Sequence, residues 1–187
     1  MKKITLTMIF ALFIVLSVSA QDKLGFGIKA GINSAMEWSD AGTTGSRFGF
    51  HGGFFFEAAI SSGLDIQPEL VYSMQGASDN SVTDRFDYVN LPVILKIYVN
   101  KSRSFSIDVG PQIGYMISAK IASGGTTTNI YDHSDLNKLD VAICLGASYK
   151  INRNFYASLR FNYSATKIMD GLDNRNGVGQ LGLSYKF

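Results

Sequence analysis

Residues 86–99 read FDYVNLPVILKIYV, and their order commits the chain to a sheet. Val89, Leu91, Val93, Leu95, Ile97 and Val99 occupy every second position, with Asn90, Ile94, Lys96 and Tyr98 between them. Successive side chains of a strand point to opposite faces, so this segment is a ribbon with one apolar and one mixed face. Apolar residues at helical spacing do not recur over a comparable length anywhere in residues 21–187.

The period of two recurs on both sides of this segment. It predicts strands over residues 24–33, 47–60, 64–75, 86–99, 104–119, 137–150, 155–164 and 177–187. The connections between them are 13, 3, 10, 4, 17, 4 and 12 residues long, so long and short alternate. The short ones, 61–63, 100–103 and 151–154, have the composition of tight hairpin turns. The long ones are rich in Gly, Ser, Thr, Asn and Asp. An up-and-down meander gathers long loops at one end and short turns at the other, which is the form of outer-membrane barrels.

The N-terminus fits that location. Lys2 and Lys3 precede an apolar run from Ile4 to Val18, and Val18-Ser19-Ala20 forms a small-x-small cleavage pattern. Residues 1–20 therefore read as a secretory signal peptide removed before Gln21, too short for a membrane anchor. Residues 21–187 then form one domain. Lys2 and Lys3 account for the whole net charge of +2, and without them 15 basic residues face 15 acidic ones. That balance gives no net-charge reason to expect nucleic acid or an anionic lipid surface as a partner. Cys144 is the only cysteine, so an intrachain disulfide and a cysteine metal cluster are both ruled out.

Alternation alone does not say which face points outward. The apolar faces carry one charge, Asp87, near the start of its strand. The mixed faces carry Lys29, Lys96, Lys138, Arg160 and Lys186 against Glu57, Asp65, Glu69, Asp108 and Asp140, among Gly, Ser and Gln. Near-equal charge beside small residues suits a narrow interior, where ions are poorly solvated and must pair. The apolar faces therefore point to lipid, where a basic residue at mid-depth costs about 2–4 kcal/mol. The fold expected is all-β, an eight-stranded antiparallel up-and-down transmembrane β-barrel. Phe105, Tyr149, Phe155 and Tyr185 near strand ends suit interfacial girdles. Pro68, Pro92 and Pro111 fall inside strands, and each is expected to mark a bulge or bend.

Several segments carry a family resemblance. Ile66-Gln67-Pro68-Glu69-Leu70, the run from Tyr88 to Lys96, and Gly110-Pro111-Gln112-Ile113-Gly114-Tyr115 resemble the PorT-like outer membrane β-barrel family. The opening Gly27–Asn33 and the closing Leu181–Phe187 are similar too. The resemblance implies an integral outer membrane protein of Gram-negative bacteria, with membrane lipids and the barrel assembly machinery as partners. One family member is tied to a protein export system, a role that no residue here specifies. The closing Tyr185-Lys186-Phe187 resembles the C-terminal signal read by that assembly machinery.

Chemistry is weakly signalled. His51 sits by parity in the interior, about 20 Å along the strand from Glu57, too far for a dyad. His133 lies in the longest loop with Asp132 and Asp135, where metal ligands are poorly held. No catalytic site, metal or cofactor is expected. Tyr98, Phe55, Tyr156, Met116, Lys96 and Arg160 are bulky, so a polar lumen closed by salt bridges is expected in place of a channel. The loops remain as binding surface, with Trp38, Tyr131 and His133 as candidates. The reading is a surface, scaffold or recognition protein. A small pore or an export accessory component is the alternative, and a lipid-modifying enzyme comes third.

Overall fold

Segments with apolar residues at alternate positions have one arrangement open to them in lipid, a sheet closed on itself, because hydrocarbon offers no partner to a free edge. The computed structural model of the chain describes residues 24–39, 42–43, 45–79, 82–133, 135–169 and 174–187. Its long strands are β1 (Leu24–Ser39), β2 (Arg47–Ser61), β3 (Leu64–Gln75), β4 (Val82–Tyr98), β5 (Phe105–Ser123), β6 (Leu139–Lys150), β7 (Phe155–Lys167) and β8 (Arg175–Lys186). Each pairs antiparallel with its neighbours in the chain. β1 pairs with β8, Gly27 opposite Lys186 through Trp38 opposite Arg175, and closes the barrel. Short strands Gly42–Thr43, Ser78–Asp79 and Thr126–Asn129 extend hairpins at the long-loop end. The signal-peptide reading concerns residues 1–20, which lie outside the described residues.

Burial is inverted relative to a water-soluble protein. Ile32 is 57% exposed and Leu159 64%, while Lys29 is 6% and Glu69 4% exposed. The outward apolar side chains have lipid as their solvent, and the closed ladder satisfies the backbone. Rings collect near the short-turn end. Phe26 stacks on Phe187 at 5.5 Å, and Tyr185 meets Phe155 edge-on at 5.0 Å.

The strands outrun their expected limits at the long-loop end. β1 continues to Ser39, β4 begins at Val82 and β5 reaches Ser123. Alternation reports contact with lipid, whereas backbone pairing continues beyond it. Trp38, expected in a loop, is therefore a strand residue. Its indole lies over Gly177, where an added Cβ would collide with it, and edge-on to Phe161 and Tyr163 at 6.4 and 6.0 Å. It belongs to the aromatic belt and not to a binding loop.

The prolines also behave differently from expectation. The β2–β3 ladder is interrupted opposite Pro68, between Phe55↔Glu69 and Ala58↔Ile66. The β3–β4 ladder is interrupted opposite Pro92, and β4–β5 opposite Pro111. Register is unchanged across each gap. A proline lacks the one N–H that would face one neighbour, and its other side stays paired: Pro68 with Val93, Pro92 with Gln112, Pro111 with Ile143. The register shift in β4–β5 lies elsewhere, where Asp87 pairs with Ser118 but Tyr88 with Met116, leaving Ile117 as the extra residue.

Candidate functional site

The inward face of the barrel is built by the same alternation, and it divides along the axis. In the half toward the short turns, two glutamates organise the cations. Glu69 on β3 accepts Lys29 Nζ at 2.8 Å and both terminal nitrogens of Arg160 at 2.8 Å each. Gln67 Nε2 donates to the same carboxylate at 2.7 Å. Glu57 on β2 pairs with Lys96 at 3.2 Å and with Lys186. Lys96 also donates to Gln67 at 3.2 Å, so the clusters share a link. Small residues make room: Lys186 lies across Gly25, where a Cβ would collide with its stem.

Other carboxylates are held differently. Asp65 pairs with Arg103, whose guanidinium also donates to the Ser61 and Ser62 carbonyls and sits 4.2 Å above the Tyr98 ring. Arg103 comes from a short turn and was missed in the sequence because period two assigns no face to a turn residue. Asp108 accepts hydroxyls from Ser106 and Ser148, and Asp140 accepts Ser164 at 3.1 Å and Thr166 at 2.8 Å. Neither forms an ion pair among the described residues, so hydroxyls replace cations here. Lys138 corrects the expectation further. It lies outside the lumen network, just before β6, with its ammonium 4.0 Å from the Tyr131 ring centre.

His51 is 2% exposed, and its Nδ1–H donates to Asn33 Oδ1 at 2.7 Å. Gln180 donates to the same oxygen at 3.1 Å. Asn33 in turn donates to Ser73 Oγ and to the Met74 carbonyl. The ring is a member of a hydrogen-bond network shared by β1, β2, β3 and β8. An enclosed cavity of about 10 Å³ lies among Lys29, Glu57, Lys96, Tyr156 and Arg160. That volume suits a single water.

The half toward the long loops adds an apolar cluster to its buried polar groups, among them Glu37, Gln75, Asp140 and Asn176. Phe86, Tyr88, Met116, Ala119, Leu136 and Ile168 form one buried cluster, with Ile130, Tyr131 and Met169 packed on it. Leu136 and Ile168 come from loops that fold back into the mouth. Leu136 bridges to Met169, and Asn137 N–H donates to the Ile168 carbonyl at 2.9 Å. Once loops cover this end, its interior is shielded from water and packs like an ordinary core. Phe86 and Tyr88 share the inward parity of Asn90, which was a legible signal; Leu136 and Ile168 had none.

Outside the lumen, the loop candidates separate. Tyr131 is half-buried beneath Lys138, whereas His133 is exposed beside Asp135, with Nδ1 3.8 Å from its carboxylate. Thr126–Asn129 pairs with the end of β5 and is exposed at every position. At the chain terminus, Phe187 N–H donates to the Phe26 carbonyl at 2.9 Å, and its ring, 68% exposed, points to the lipid side.

Solved structures share this architecture. Neisserial surface protein A is 16% identical with a TM-score of 0.63, over 87% of this chain and 97% of that one. Ail, the attachment invasion locus protein of Yersinia pestis, is 18% identical with a TM-score of 0.57, over 88% of this chain and 99% of its own. These likenesses concern the fold. Among curated proteins no relative matches by sequence. Residues 19–170 match the outer membrane protein β-barrel domain, a match that spans most of the strands. The chain belongs to the outer membrane protein β-barrel domain family.

Proposed function

We propose that the protein is a surface recognition protein, a closed barrel that presents ordered loops outside the cell. The observation that carries this reading is the contrast between a filled lumen and an elaborated loop end. The interior is packed with ion pairs toward the short turns and with an apolar cluster and buried polar groups toward the loops, which opposes conduction. The loop end continues β5 into the exposed Thr126–Asn129 hairpin and carries Tyr131 with Lys138, and His133 with Asp135. Ail is named for attachment and invasion, and one of its structures holds the heparin analogue sucrose octasulfate, so a barrel of this size is compatible with such a role.

The motifs around Pro68, Pro92 and Pro111 support a finer placement in the PorT-like branch. In this reading the leader is cleaved before Gln21, Tyr185 and Phe187 serve the assembly machinery, outer membrane lipids surround the barrel, and no catalytic step takes place. The test replaces residues 121–129 with a two-residue turn and compares co-purification from native membranes. The shortened chain should still show the heat-dependent gel shift of a folded barrel but lose a partner captured by the intact chain. Large, stable openings of the purified protein in planar bilayers would replace this reading with a pore.

A further inference from the structure

The lipid-facing side carries an unexplained arrangement of charge above its apolar band. From β4 into the residue after it, the outward residues Val89, Leu91, Val93, Leu95, Ile97 and Val99 span ten residue steps. At about 3.3 Å per step and a tilt of ~40°, they rise about 25 Å, the height of the hydrocarbon band of such barrels. The next outward positions on β4 are Asp87 and Arg85, so they stand at headgroup level.

Arg85 faces a second cation. Phe86 and Ala119 are cross-strand partners, and both are buried in the inner cluster, so the flanking partners Arg85 and Lys120 point to the lipid side. Both are exposed. Like charges directly opposite on a sheet destabilise it. Among the described residues no carboxylate bridges this pair. Arg47, on β2, is the register partner of the buried Ala35, so its backbone position faces inward. Its guanidinium donates to the Gln75 carbonyl and lies within electrostatic reach of Arg85 and of Asp87. The nearest outward acid, Asp87, is engaged by the Tyr72 hydroxyl. Tyr115, half exposed on the same side of β5, lies just below.

We propose that Arg85 and Lys120 bind the phosphate of a lipid headgroup in the leaflet beside the long loops. A phosphate monoester would neutralise the opposed pair. Arg85 offers it a planar fork of donors and Lys120 a point charge. The acyl chains of the same lipid would lie along Val89 and Ile117. The proposal needs the barrel to span a membrane, and it borrows from the recognition reading only which leaflet is meant.

The experiment is native mass spectrometry of the full chain from neutral detergent micelles doped with phosphatidate, with oleate, or with inorganic phosphate. The comparison protein carries Arg85→Gln and Lys120→Gln, and the gel shift verifies that it is folded. Removing two charge-assisted contacts should lower retained phosphatidate about ten-fold or more. Relief of the like-charge pair should leave the variant at least as stable as the parent in lipid-free micelles. Equal retention by both proteins overturns the site. Oleate retained as well as phosphatidate reduces it to unspecific charge, and inorganic phosphate retained alone transfers it to a free anion. Loss of a loop partner in the recognition experiment bears on none of these outcomes, so the proposals fail separately.

Discussion

The two halves of the lumen solve the same problem with different chemistry. Toward the short turns the interior is filled by Glu57 and Glu69 with their cations; toward the long loops Phe86, Tyr88, Met116, Leu136 and Ile168 form an apolar cluster beside buried Glu37, Gln75, Asp140 and Asn176. The ionic half gains specificity of register, since Arg160 reaches Glu69 across the bore only if β3 and β7 are both in place. The apolar cluster gains packing, and it takes in the loop residues Leu136 and Ile168. An ionic filling is intolerant of losing one member, whereas an apolar filling loses in proportion to the volume removed.

That contrast can be broken by substitution. Glu69→Gln strands Lys29 and Arg160 in the interior, and urea titration of the refolded barrel should show a loss of about 3–5 kcal/mol. A loss no larger than that of an apolar truncation would erase the distinction. Ile143→Lys places a cation on the lipid side and should cost about 2–4 kcal/mol, seen as reduced folded fraction in vesicles. Ser148→Lys, facing the lumen beside Asp108, should be milder, because Asp108 has hydroxyl partners and no cation. Equal damage from both would contradict the face assignment. Met116→Ala should cost about 2–3 kcal/mol in the same titration. Ser164→Ala removes one hydroxyl from Asp140 and should cost about 1 kcal/mol. A much larger loss would make Asp140 as critical as Glu69.

Much of this was readable before any coordinates. Val89 through Val99 already separated lipid from lumen, because each strand residue has only two directions available. Glu57, Glu69, Lys29, Lys96, Arg160 and Lys186 were all readable as interior charges, since a charge on the lipid side is costly. Their partners were not readable. Glu69 meets Arg160 across 91 positions of chain, a juxtaposition set by barrel diameter and shear. Trp38 was misplaced because pairing outlasts the expected strand, Lys138 because β6 begins only at Leu139, and Arg103 was missed because a turn residue has no parity.

From sequence alone came the inverted architecture: period two, alternating loop lengths and charge confined to one face leave a closed sheet in lipid as the arrangement that satisfies every backbone group. Only the tertiary structure decided which ions meet, that hydroxyls and not cations hold Asp108 and Asp140, that loops supply an apolar stopper, and that Arg85 stands opposite Lys120. The physical reason is distance along the chain. Alternation is a local property of neighbouring residues, whereas pairing across the bore or between strands depends on curvature and register, which exist only once the cylinder has closed.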